Sequence, residues 1–339
     1  MLRRLLFYRD LPIWMERTHP MMRREIKREV QRSTPYSHWL KGVRWLSALT
    51  MVSFLLMIGY TTVDMVTNNN QALSISEIIF AWQLFPLYFV HFLLLGGTFI
   101  MGVDTLKNQK RLNLWDEVRA TSDGVRLIVW VRWAYLTFYH NSLLLKITYV
   151  VRVLMILALL MDLTSFGGNY LSYLLLQSTP NLPLWVGVIL VGMNITAGLL
   201  LPLSMMSLTS SFALLLSTYF KQPILNLFIK FVVLIFYMFI SLFLVMLLST
   251  LYLETAQESA SILMNNPLGE FGGLLAIITS LFVDWGTTLL FLGFLGEHLW
   301  VNIPYSVFIG AGMLFVIIAQ AYLSELLLRY AIHRANNNT

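Results

Sequence analysis

The sequence predicts an all-α integral membrane protein: an N-terminal amphipathic arm, six transmembrane helices and a re-entrant hairpin before the last. Three observations predict it. Of 339 residues, 58% are hydrophobic and 12% charged, about half the charged share of a soluble domain, and mean hydropathy is +0.70. The apolar residues fall in runs of the roughly 20 residues that a helix needs to cross the hydrocarbon core. Lys and Arg gather in two blocks, eleven of the 23 within 1–44 and eight within 104–152, leaving four for the last 187 residues. The positive-inside rule puts both blocks in the cytoplasm, and it reads the net charge of +6 as orientation, not as nucleic-acid affinity.

The arm, 1–44, opens with MLRRLLFYRD, which lacks the apolar core and small-residue cleavage site of a signal peptide. Residues 21–32 (MMRREIKREVQR) set Arg24 against Arg28 and Glu25 against Glu29 at i,i+4 spacing. That pattern suits a helix lying among lipid headgroups; its sharper reading is a docking helix for a partner.

The first span, 45–63, leaves the cytoplasm, and 64–77 follows without Lys or Arg, as an external loop does. The second, 78–103, returns through Gly96 and Gly97, which permit close helix packing. After the cytoplasmic loop 104–146, the third span runs 147–163, and 162–183 is external, with 170–176 in the interface. The fourth, 184–206, carries Pro202 near its end and continues helically to Tyr219. Lys221 and Lys230 mark the inner side before the fifth span, 231–253, and the acidic 254–270 is external.

The last part sets the topology. Both 271–296 and 305–328 are long enough to span. If both do, the layout has seven spans, and Arg329, His333 and Arg334 end outside, against the charge rule. If 271–296 dips in and out, the tail 329–339 is cytoplasmic and the rule holds throughout. Asp284-Trp285-Gly286-Thr287-Thr288 breaks this segment at its centre, as the apex of a re-entrant hairpin would. The layout preferred is therefore six spans with both termini inside, in a bacterial inner membrane or plasma membrane.

No catalytic constellation emerges, so the chain reads as a non-enzyme without a cofactor. It has no cysteine for a disulfide or thiolate metal site, and no GxxxxGK[ST] loop, so any ATP hydrolysis belongs to a partner. Of six histidines only His91 falls inside a span, where a hydrogen-bonded interhelical residue is the reading preferred over a ligand. Glu297-His298, at the external interface, is too small a set for a metal. Asp284 is the one strong intramembrane acid, suited to capping the hairpin turn or to transport and gating. No opposite charge is evident at its depth.

The stretch 112–139 is the one sizeable polar and aromatic block between apolar segments. Residues 112–120 read as a short helix stopped at Thr121-Ser122-Asp123-Gly124, any of whose first three can cap a second helix beginning near Val125. That second helix carries Trp130, Trp133 and Tyr135 with Arg126 and Arg132, a composition suited to the membrane surface. A partner can grip such a projection; a structural loop at the headgroups is the plainer reading.

Two patches resemble a known family. His19-Pro20-Met21-Met22-Arg23-Arg24-Glu25-Ile26 is similar to the Asn-Pro-(apolar)-(apolar)-x-Arg-Glu-Leu opening of ABC-2-type transporter permeases. Leu114-Trp115-Asp116-Glu117-Val118-Arg119-Ala120-Thr121 resembles that family's cytoplasmic segment after the second span. His19 stands where the family has Asn, and Ser122 where it has Pro. The resemblance implies a permease dimer coupled to a separate ATP-binding subunit through 112–123. Its partner interface would comprise Arg23, Arg24, Glu25, Leu114, Trp115, Asp116, Glu117, Arg119 and Thr121. The exported cargo would be a lipid, a glycan or a hydrophobic drug. A non-catalytic structural subunit of a larger membrane complex is the competing function. A lipid-modifying membrane enzyme would need a cluster of His, Asp or Glu at one depth, which the sequence does not offer.

Overall fold

The computed structural model describes residues 20, 22–23, 75–110, 124–164, 168–220, 222–258, 269–291 and 293–337. The predicted first span, 45–63, and the segment 111–123 lie outside them. Among the described residues the structure is helices and turns, without a strand. Five helices among the described residues are long and apolar enough to cross a membrane.

Helix α1 (Ile75–Lys110) has 36 residues, about 54 Å at 1.5 Å per residue, so it outruns a hydrocarbon core of about 30 Å. Helix α2 (Gly124–Ala134) passes through a π-helical stretch, Tyr135–His140, into α3 (Ser142–Leu163). The short α4 (Tyr170–Gln177) covers the predicted interfacial segment. Helix α5 (Leu184–Tyr219) runs unbroken through Pro202, joining the predicted fourth span to its continuation. Helix α6 (Pro223–Glu258) follows, and α7 (Gly269–Val283) stops at the predicted break. A 3₁₀ turn (Thr288–Leu290), a π-helical stretch (Gly293–Trp300) and a second 3₁₀ turn (Ser306–Phe308) lead into α8 (Ile309–Asn337).

Contacts between elements define two ends of the bundle. At one end Asp104 of α1 meets Lys230 of α6 at 2.5 Å, with Asn226 donating to the same carboxylate at 3.1 Å. At that end the hydroxyl of Tyr219 donates to that of Tyr330, and the Arg334 guanidinium lies 3.4 Å above the Tyr219 ring. At the opposite end the N–H of Tyr305 donates to the carbonyl of Thr179 at 2.7 Å.

Helix α7 and the segment after it form a helical hairpin. A Cβ on Gly273 would meet Ile303 and Leu299, so the start of α7 lies beside the end of the returning segment. The turn at 284–287 is therefore the far end of the hairpin. Trp285 and Gly286 there have φ of 53° and 75°, the left-handed region that costs a side-chain-bearing residue about 1–2 kcal/mol.

Helix α2 does not stand clear of the bundle. Its Val125, Ile128, Val129, Val131, Arg132 and Ala134 are buried. Val129 packs with Leu214 of α5 and Leu328 of α8. Helix α6 is the reverse case, with most of its apolar side chains between Ile224 and Met246 exposed. Besides Asp104–Lys230, Tyr237 fastens it to the hairpin, donating to the Phe282 carbonyl at 3.1 Å and packing on the Phe282 ring.

Candidate functional site

The site is built from what two backbone irregularities leave undone. Proline has no N–H, so Pro202 cannot engage the carbonyl four residues earlier, that of Gly198. The turn after α7 likewise leaves the carbonyl at 285 outside any helical ladder, while that at 284 accepts from the Thr287 hydroxyl at 2.7 Å. In an apolar interior each such group needs a donor.

Arg152 serves the carbonyls of Gly198 and Trp285 and adds a donor to that of Asp284. It sits near the middle of α3 and is wholly buried. Its Nη1 donates to the Gly198 carbonyl. Its Nη2 donates to the carbonyls of Asp284 at 3.0 Å and of Trp285 at 2.7 Å. A planar guanidinium with its fork of donors can address two backbone segments at once, which a lysine ammonium does less well. Hydrogen bonds to a charged donor are worth about 1.5–3 kcal/mol each, which offsets part of the cost of burying the charge.

The Asp284 carboxylate faces the other way, into its own turn. Ser280 Oγ donates to Oδ1 at 2.7 Å and the Thr287 N–H at 3.1 Å. The Thr288 N–H donates to Oδ2 at 2.8 Å, as does the Thr288 hydroxyl. Four donors are what an ionised carboxylate can take. Asp284 thus caps the 3₁₀ turn that starts at Thr288, while its backbone carbonyl anchors Arg152. The two charges lie within electrostatic range of each other, so each offsets the burial of the other.

This corrects one expectation from the sequence. An opposite charge does exist at the depth of Asp284, and it is Arg152. Grouping that residue with the cytoplasmic basic block missed it. The available signal was an Arg inside the predicted span 147–163, where a charge marks a special site.

His91 of α1 reaches the same place. Its ring is wholly buried and stacks on Trp285, with centroids 4.0 Å apart and planes 14° apart. Its polar edge faces the Val283 backbone without reaching hydrogen-bond geometry. The contact between elements is therefore made by stacking, worth about 0.5–1.5 kcal/mol beyond burial, in place of the hydrogen bond expected from the sequence. Asn194 of α5 completes the collar, donating to the Leu289 carbonyl at 2.7 Å. Among the described residues no three His, Cys, Asp or Glu side chains converge as metal ligands.

The predicted partner interface is described at one position, Arg23, which is exposed. Arg24, Glu25, Leu114, Trp115, Asp116, Glu117, Arg119 and Thr121 lie outside the described residues, as does the acidic patch to which the coupling role was assigned. Beside Arg23, Met22 is wholly buried and packs with Val131 and Ala134 of α2.

The fold and this site define a class, the helical membrane proteins with several apolar helices. No family model matches the chain, and neither curated proteins nor solved structures yield a match.

Proposed function

We propose that the chain is the permease subunit of an ABC-2-like exporter, driven by a separate ATP-binding subunit through the loop 112–139. The observation that carries this reading is Met22, buried against Val131 and Ala134 of α2. It joins the arm to the second half of that loop, so a force applied at 112–123 reaches both. Helix α2 continues through the π-helical stretch into α3, which bears Arg152. Movement of the loop is thereby linked to the hairpin through one helix.

In this reading the Asp104 end is cytoplasmic, because Arg126, Lys230, Arg329 and Arg334 gather there. The hairpin is re-entrant, entering and leaving on the external side, with its apex carbonyls held by Arg152 instead of by water. With 45–63 the chain has six spans, and it works as a homodimer or hetero-oligomer. ATP-driven closure of the partner pair shifts the spans between inward- and outward-facing populations.

The test is gentle solubilisation from the native membrane, followed by identification of co-purifying proteins. A stoichiometric P-loop ATPase is the expected result, and reversing the charges of Asp116 and Glu117 should abolish the ATP turnover that the chain stimulates. Unchanged turnover would sink the coupling role.

A second reading is a structural subunit of a larger assembly. The satisfied acceptors around Arg152 favour it, because the three carbonyls and the Asp284 carboxylate all have donors, as suits a static scaffold. A large complex without an ATPase would decide for that reading.

A further inference from the structure

A cavity of about 390 Å³ lies between α2, the π-helical stretch after it, α5 and α8. Its walls are largely apolar, with Trp133, Phe138, Leu203, Ile317 and Ala321 among them, and the one charged side chain in the lining, Glu325, is paired with Arg329 at 2.5 Å. The hydroxyls that also line it are engaged within the protein. Ser204 donates to Gln320 Oε1 at 2.6 Å, Ser207 and Ser324 share a hydrogen bond of 2.8 Å, and Thr137 donates to Ser210 at 3.1 Å. The indole N–H of Trp133 goes to the Ser207 carbonyl at 3.3 Å. A ligand rich in hydrogen-bonding groups gains little from such walls, whereas an alkyl chain gains its full burial.

Three further observations narrow the occupant. Ala321 is exposed and is flanked on α8 by exposed Ile318 and Tyr322, so the cavity opens onto the apolar outer face of the bundle. Its volume is near the lower limit of small-molecule sites, about 300 Å³, which suits one alkyl chain and not a helix. Arg126 is exposed one turn before the lining residue Trp130, on the same face of α2, where it can meet a phosphate.

We infer that this cavity holds one acyl chain of a bilayer phospholipid, with Arg126 at the headgroup phosphate. Occupancy ties α2 to α5 and α8, so the lipid is part of the packing at the Asp104 end. The inference does not depend on the transport reading.

The experiment reconstitutes the full chain in phosphatidylcholine–phosphatidylglycerol vesicles doped with a phospholipid carrying a diazirine midway along one acyl chain. After irradiation the labelled residues are mapped by mass spectrometry. The expected result is heavier label at Leu203 and Ile317 than at the outward-facing Phe236 and Phe239 of α6. Ala321→Trp should remove the cavity label and leave that on α6, and Ala321→Leu should reduce it in a protein perturbed less. Equal label at both places, or cavity label unaffected by Ala321→Leu, would overturn the inference. So would equal cavity labelling by a free diazirine fatty acid in the Arg126→Gln protein and the unaltered one, if the phospholipid label is likewise insensitive to Arg126→Gln.

Discussion

Arg152 takes the place of the N–H that Pro202 lacks: its guanidinium donates to the Gly198 carbonyl, the group that residue 202 would engage in an unbroken helix. The same side chain holds the carbonyls of Asp284 and Trp285. A helix irregularity and a turn, on different elements, are thus satisfied by one buried charge.

Replacing Arg152 by Leu takes the guanidinium from the carbonyls of Gly198 and Trp285 and leaves the Asp284 charge without its opposite, and should destabilise the protein by about 3–5 kcal/mol. Pro202→Ala restores an N–H to Gly198, so the double variant should be less destabilised than the sum of the single ones. The coupling should fall within about 0.5–3 kcal/mol. Unfolding of the four proteins in detergent measures it, and strict additivity would show that Arg152 does not serve Gly198.

The Asp284 carboxylate accepts from four donors. Asp284→Asn turns an acceptor into an NH₂ facing donors, which should cost roughly 1–3 kcal/mol for the groups left unpaired. Thermal unfolding of the variant in detergent checks this. An unchanged midpoint would mean that the cap contributes nothing.

The close approach of α8 to α5 rests on Gly310, where a Cβ would lie 2.6 Å from the backbone nitrogen of Asn194. Gly310→Ala therefore forces the helices apart, at a cost of about 1–3 kcal/mol or more. Gly312, two residues on, has nothing within 4 Å of such a Cβ. Gly312→Ala should be neutral or stabilising by about 0.5–1 kcal/mol through helix propensity. Opposite shifts of the two melting temperatures are the expected signature.

At the apex, Gly286 has φ +75°, and a Cβ there would come within 2.9 Å of the Met313 side chain. Gly286→Ala should cost about 1–2 kcal/mol from backbone strain alone. Limited proteolysis of the reconstituted protein should then cut within 269–305 sooner than in the unaltered chain. Equal cleavage rates would mean that the turn does not limit opening of the hairpin.

Much of the helical layout was legible, because length, apolarity and breakers are local properties. The segment 78–103 lies within α1, Pro202 sits inside a helix that continues to Tyr219 as read, and α7 ends one residue before the predicted break at Asp284. The second helix of the central block is present over Gly124–Ala134. Its burial was less legible, since Arg126, Trp130 and Arg132 suggest a surface while Val125, Ile128, Val129 and Val131 supply a face for the bundle.

The sequence by itself determined that the chain is helical and suited to a membrane, and that the helix begun near 271 breaks at Asp284. A run of apolar residues, a Gly or a capping side chain acts over a few residues and can be read in place. Only the tertiary structure decided what Arg152 does. Its acceptors lie 46 and 132 residues away in sequence, and whether a buried charge is satisfied depends on the depth at which separate helices meet. His91 shows the same limit, since its stacking on Trp285 follows from the placement of α1 against the hairpin, which no local pattern encodes.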